Sequence, residues 1–389
     1  MDDNAPEGGG SASTLDRRTL LAGAAGAALA ATTGTAHAQQ ATPSASPMAS
    51  PGADLAAAGG PKFGFVLAHE QFRTPDLVEF AALAEQSGFD EVWTSDHSHP
   101  WQDNQGHAMF PWITLALIGA RTERIVFGTG VTCPTYRHLP SQVAQAFASL
   151  GVMSPGRVYF GACTGEALNE LAFAGAFGPY QERADRWVEA IDLIRRLWSG
   201  DWVEFQGTYY QAPVTKLYDV PEQPIPIYMA ASGPNSARLA GQHGDGWITG
   251  AADLLKKPEL LRAFREGAAA AGKDPLTLPV RAESFVTVGG EAEAQEAARL
   301  WHFTPKSWTK DFLYDPDPRS IQRKAEEQIP LEEVYQDWPI GEDPAPHVEG
   351  ITELLQAGAT HVYIHSGQQD QRKVIEFYGS EVLPRVRGA

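Results

Sequence analysis

Residues 89–101 read FDEVWTSDHSHPW, an apolar run that breaks into an acid, two imidazoles and an indole between Asp96 and Trp101. Short runs rich in β-branched and aromatic residues are the pattern of strands buried on both faces. Parallel α/β proteins place their chemistry where such strands end. The decisive question is whether the chain repeats the unit, and it does. KFGFVLA (62–68), EVWTSD (91–96), RIVFGTGV (124–131), RVYFGAC (157–163), IPIYMAAS (225–232), GWITG (246–250), RAESFVTV (281–288) and THVYIHS (360–366) all qualify. Between them run segments of 3.6-residue periodicity, such as PDLVEFAALAEQSG (75–88), closed by Gly88, and RWVEAIDLIRRLWSG (186–200). Eight strand-then-helix units predict an α/β fold, a parallel (β/α)8 TIM barrel over residues 61–389. Two longer insertions, about 201–224 and 301–348, are expected over its C-terminal mouth. A doubly wound open sheet is disfavoured because no GxGxxG follows the first strand.

The formal charge of the 389 residues is −18, which excludes a basic footprint for nucleic acid or anionic lipid and points to a small-molecule partner. The stretch LDRRTLLAGAAGAALAATTGTAHAQQ (15–40) pairs Arg17 and Arg18 with an Ala/Gly/Leu run and a small-x-small site at Ala36-His37-Ala38. It predicts a twin-arginine signal peptide over 1–38, with the export machinery as a partner and the cell envelope or exterior as destination. Residues 39–60, rich in Pro, Ser, Ala and Gly, read as a disordered linker. The twin-arginine route carries folded proteins, so a redox enzyme loaded with its cofactor before export is expected. Cys133 and Cys163 lack CxxC partners and read as free core thiols, and no spacing suggests a metal site.

In a barrel of this kind, polar residues that close the strands face one mouth. They include His69-Glu70, Asp96-His97, Cys133, Thr164-Gly165-Glu166 and His365. His97 is the candidate acid/base and His99 a solvent-facing residue, while Trp101 is suited to wall a planar cofactor. Glu166 qualifies as a second acid/base, in the small-residue stretch GACTGEALNE (161–170). AASGPNSARLAG (230–241) leads a strand into a helix whose first N–H groups suit a phosphate.

SDHSHPW, QGHAMFPW, GTGVTCPTYR, QAFASLGVMSPGRV, CTGEALNE, LWSGDWVEFQGTYY, YDVPEQPIPIYMAASGP and GDGW, in this order over 62–387, resemble the coenzyme F420-dependent glucose-6-phosphate dehydrogenase-like group of the luciferase-like barrel superfamily. The resemblance implies hydride transfer at C5 of the deazaflavin, with His97 and Glu166 as the acid/base pair. It places Asp96, Cys133, Thr164, Gly165, Asn169, Ser232, Gly233, Asn235 and Ser236 at cofactor contacts, and Glu70 and Trp101 at the reacting centre. A homodimer is a further expectation.

The departures concern the substrate. Where the resembling group holds a sugar phosphate with a Thr and three cations, this chain has Gly250, Asp253, Asp311 and Asp337. Coulomb repulsion at those acids would disfavour a phosphate dianion. Trp301, Phe303, Trp308, Phe312 and Tyr314 are expected to line an apolar pocket, as in the exported hydroxymycolic acid dehydrogenase-like branch. A non-phosphorylated, apolar, lipid-like alcohol is therefore the expected substrate. An FMN-dependent luciferase-like monooxygenase and an exported non-enzymatic binding protein are the alternatives.

Overall fold

Each of the eight runs forms a strand. In the computed structural model, which describes residues 60–388, these are β1 (Lys62–Leu67), β2 (Glu91–Thr94), β3 (Val126–Thr129), β4 (Val158–Ala162), β5 (Ile227–Ala230), β6 (Gly246–Gly250), β7 (Val280–Phe285) and β8 (His361–His365). They pair in parallel and in sequence, and β8 closes on β1, giving a barrel with no free edge. The signal peptide of 1–38 and the linker of 39–60, Gly60 excepted, lie outside the described residues.

Alternation sorts the side chains. Phe63, Phe65, Val92, Phe127, Phe160, Ile227, Met229, Trp247, Val362 and Ile364 point outward and are buried beneath the helices. Val66, Trp93, Tyr159, Tyr228, Ile248 and Tyr363 fill the lumen. Trp93 stacks on Tyr363 with centroids 3.7 Å apart, and Gly64 is required beneath it, since a Cβ there would lie 2.3 Å from the Tyr363 ring. Lower in the lumen Arg281 pairs with Glu91, which also accepts the Tyr363 hydroxyl. The lumen is thus packed to its floor, which leaves the mouth for chemistry.

The helices that bear on the site are α1 (Thr74–Gln86), α2 (Pro111–Arg121), α3 (Pro140–Met153), α4 (Ala167–Ala174), α5 (Tyr180–Leu197), α6 (Pro234–His243) and α7 (Ala251–Lys256). Gly88 sits at φ +87° after α1, as the sequence requires of a helix-ending glycine.

The insertions behave differently from one another. Residues 301–348 fold into short helices, including Pro318–Gln328 and Leu331–Tyr335, and build a second core with Trp101 and Leu168 over the mouth. Residues 201–224 do not cover it. They form an antiparallel hairpin, Val203–Gln206 with Gln211–Thr215, whose tip amides at Thr208, Tyr209 and Tyr210 donate to Glu189 of α5. A segment that follows a barrel helix starts at the far end from the mouth, so this hairpin climbs the outside along α5; Tyr210 reaches the mouth-side loops, donating to the Thr135 carbonyl at 2.7 Å.

Candidate active site

His97 and Glu166 belong to loops that leave β2 and β4, and Asn169, on the first turn of α4, joins them. The Asn169 amide oxygen accepts from the Ser98 N–H (2.8 Å) and hydroxyl (3.1 Å). That orients its NH2 group toward His97 Nδ1 at 3.2 Å and Glu166 Oε2 at 3.4 Å. The His99 carbonyl also lies 3.2 Å from His97 Nδ1, and Glu70 Oε1 lies 3.7 Å from Nε2. Nδ1 therefore has a donor and an acceptor within reach. Either tautomer is supported, leaving Nε2 as a lone pair in one and as N–H in the other. Glu70 is itself fixed by the Ser95 hydroxyl at 2.6 Å, and Ser95 Oγ accepts the His69 N–H. Trp101 stands 5.4 Å from the His97 ring and stacks on Phe303 at 4.6 Å.

Asp96 plays a different part from the ligand contact expected of its side chain. Its carboxylate is wholly buried, accepting from Thr132 Oγ1 (2.5 Å) and Arg137 (2.6 Å), with His138 Nε2 at 3.4 Å. Burial alone would raise its pKa, but Arg137 and His138 together hold it well below the usual carboxylate range. No face is left for a ligand. The Cys133 thiol is likewise inside, 2.9 Å from Thr135 Oγ1, and burial pushes its pKa up. Both cysteines are free.

The sequence reading missed the partners of this cluster, Arg137, His138 and Glu170. Glu170 accepts the Arg137 N–H at 2.7 Å, and burial pushes its carboxyl up to about 7 against the pull of Arg137. A strand-end acid such as Asp96 demands a counter-cation, and TYRH (135–138) was the available signal.

A planar, phosphate-bearing cofactor fits the remaining surface. Gly165, at φ +81°, packs so tightly that a Cβ would lie 2.7 Å from the Cys133 sulfur, and Arg183 holds its carbonyl at 3.0 Å. Thr164 beside it is partly open. Gly233 caps α6, exchanging hydrogen bonds with Ser236, with Ser232 and Asn235 on the same partly open turn. A Cβ on Gly250 would meet nothing within 4 Å. Helix N–H groups beside bare backbone suit a phosphate.

The luciferase-like monooxygenase family profile matches residues 52–361. The chain belongs to that family. An F420-dependent hydroxymycolic acid dehydrogenase of Mycobacterium tuberculosis is 53% identical over 324 residues, which cover 83% of this chain and 88% of that protein. An F420-dependent glucose-6-phosphate dehydrogenase of Mycolicibacterium smegmatis is 39% identical over 331 residues, 84% of this chain and 98% of its own. Among solved structures, an F420-dependent secondary alcohol dehydrogenase in complex with an F420-acetone adduct superposes with a TM-score of 0.79 at 32% identity, covering 84% of this chain and 99% of that one.

On the substrate side two groups of residues depart from expectation. Asp253 and Asp337 are not bare acids, because Lys257 Nζ lies 2.7 Å from Asp253 and Lys256 Nζ 2.5 Å from Asp337. The two pairs cancel locally, so the repulsion argument rests on Asp311, whose side chain is exposed, and on the mouth carboxylates. Trp301, Phe303 and Phe312 are buried in the second core. The exposed apolar groups are instead Phe173 of α4, Trp308 and Tyr314, tied into the rim by His99 and Phe177.

Proposed function

We propose that the chain is a coenzyme F420-dependent oxidoreductase that moves a hydride between an alcohol carbon and the deazaflavin. The observation that carries this reading is the Asn169 amide, which holds His97 and Glu166 in one hydrogen-bonded set at the barrel mouth. The deazaflavin, when bound, supplies the hydride acceptor. Ser232, Gly233, Asn235 and Ser236 at the α6 N-terminus would hold its phosphate, and Thr164 and Gly165 its ring side.

In the oxidising direction His97 Nε2 takes the hydroxyl proton while Nδ1–H donates to the His99 carbonyl. In the reducing direction the other tautomer, with Asn169 donating to Nδ1, presents Nε2–H to the carbonyl oxygen. Glu166, nine-tenths buried, is the complementary proton carrier. Glu70, 3.7 Å from Nε2, orients the imidazole from that side.

The substrate is read as a non-phosphorylated, lipid-like alcohol, on the strength of the exposed rim formed by Phe173, Trp308 and Tyr314. Export by the twin-arginine machinery rests on Arg17, Arg18 and the Ala36-His37-Ala38 site. A homodimer would cover Ile113 and Leu117, exposed on α2, and Met153, exposed at the end of α3. An anaerobic alcohol screen that follows the deazaflavin's visible absorbance tests the activity. Equilibrium titration should show the deazaflavin binding far more tightly than FMN, and comparable or tighter FMN binding would favour the monooxygenase reading.

A further inference from the structure

The mouth holds a second acid–imidazole pair that hydride transfer does not use. Arg281, Glu283 and Phe285 alternate into the lumen from β7, and the register sets Glu283 between Gly250 of β6 and Tyr363 of β8. His365 Nδ1 lies 2.6 Å from Glu283 Oε1. The imidazole is 3% exposed and sandwiched, stacked on Phe285 at 4.0 Å and edge-on to Trp301 at 4.5 Å. Its Nε2 has no partner among the described residues. Glu283, by contrast, is 32% exposed.

A buried imidazole that donates to a carboxylate from Nδ1 fixes that carboxylate's rotamer, as an outer residue orients a ligand. The second oxygen, Oε2, has no hydrogen-bond partner among the described residues. Beside it Gly250 contributes no side chain, and a Cβ there would meet only open space. The pair is also continuous with the reacting centre. Rings run through the second core from His97 to Trp101 (5.4 Å), Phe303 (4.6 Å), Trp301 (6.0 Å) and His365 (4.5 Å), so one packed layer supports both pairs from behind. Phe285, two residues on from Glu283, and Trp338 stack at 5.2 Å and are only partly buried, which leaves an aromatic face on this side of the mouth.

We propose that Glu283, oriented by His365, is a substrate-binding subsite that accepts a hydrogen bond from a second hydroxyl of the substrate, one that is not oxidised. The inference rests on the mouth being the alcohol site. A preset carboxylate beside an aromatic face selects a neutral donor and rejects an anion, so the ligand class is a diol or longer polyol with an apolar body. Glu283 is a positioning and specificity residue, since the proton transfers belong to His97 and Glu166.

The test measures binding on the deazaflavin-loaded protein by ligand-observed NMR, comparing cyclohexanol with the isomeric 1,2- and 1,3-cyclohexanediols. A hydroxyl-to-carboxylate hydrogen bond should make at least one diol bind about tenfold more tightly than cyclohexanol. Glu283→Leu should erase that preference and leave cyclohexanol and deazaflavin affinities within about twofold. Glu283→Gln, which keeps the shape, should weaken it part-way. His365→Asn, which keeps a donor near the Nδ1 position, should preserve it, and His365→Leu should not. Absence of any diol preference in the parent protein, equal losses for both ligands in Glu283→Leu, or a loss of deazaflavin affinity would each overturn the subsite. Because the readout is binding, intact diol preference without turnover counts against the hydride-transfer reading and not against this one.

Discussion

Glu170 and His69 should give the protein two opposed pH dependences that cancel in the parent and separate in variants. Burial, only partly offset by Arg137, raises Glu170 from 4.5 to about 7. Burial likewise lowers His69, whose ring nitrogens have no partners among the described residues, from 6.5 to about 4. For Glu170 the folded state binds more protons than the unfolded state between these limits, so its contribution is complete below 4.5 and lost as pH rises through 7. For His69 the unfolded state binds more, so its contribution is complete above 6.5 and lost as pH falls through 4. At about 1.36 kcal/mol per pH unit, each interval corresponds to roughly 3 kcal/mol, and the two have opposite sign in the shared window from 4.5 to 6.5. Urea unfolding of the parent, Glu170→Gln and His69→Asn between about pH 4 and about pH 8 isolates them, because cavity and hydrogen-bond losses do not vary with pH and drop out of the slope. The stability of Glu170→Gln relative to the parent should rise by roughly 3 kcal/mol over that range, and that of His69→Asn should fall by a similar amount. Flat difference profiles, or two of the same sign, would refute the burial argument for both groups.

His97→Ala should lower turnover by about 10²–10⁴-fold with deazaflavin affinity held within a few-fold, as expected for a lost general acid/base. His99→Ala should be nearly silent, because His99 serves His97 through its main-chain carbonyl; a silent His97→Ala in steady-state kinetics would reassign the imidazole. Glucose 6-phosphate should not reduce the deazaflavin. The double variant Asp253→Asn/Asp337→Asn, which frees Lys257 and Lys256 from their partners, should acquire weak, salt-sensitive phosphate binding by calorimetry. Rapid turnover of glucose 6-phosphate by the parent would sink this account.

All eight strands were legible because each is a short apolar run bounded by breakers, and a barrel buries every strand on both faces. His97, Glu166 and Glu70 followed from the rule that strand ends face the mouth. The hairpin at 203–215 was misplaced because sequence records that an insertion exists and not which end of the barrel it leaves. Burial of Trp301, Phe303 and Phe312 was hidden for another reason: an aromatic that lines a pocket and one that packs a core have the same composition. The Asp96 side chain departs from expectation because its fate is set by Arg137, 41 positions away, and TYRH does not by itself say which acid it neutralises.

These misreadings share a physical cause that also explains the chemistry. A carboxylate at a barrel mouth is either neutralised from behind or left to face a ligand, and neighbours distant in sequence decide which. Asp96 has Arg137 and His138 behind it and so fastens β2 to the loop after β3. Among the described residues Glu70 and Glu166 accept from neutral donors, Ser95 and the Asn169 amide, with the His97 ring beside Glu70. Glu283 has a single imidazole and a side open to solvent. The acids without a guanidinium behind them are therefore the ones the proposed function assigns to the reacting volume. Such carboxylates, together with Asp311, would disfavour an anionic substrate beside them, since a phosphate oxygen brought close meets a carboxylate in a partly desolvated site. An uncharged hydroxyl would meet the same groups as hydrogen-bond acceptors, which is what the proposed alcohol chemistry at His97 requires.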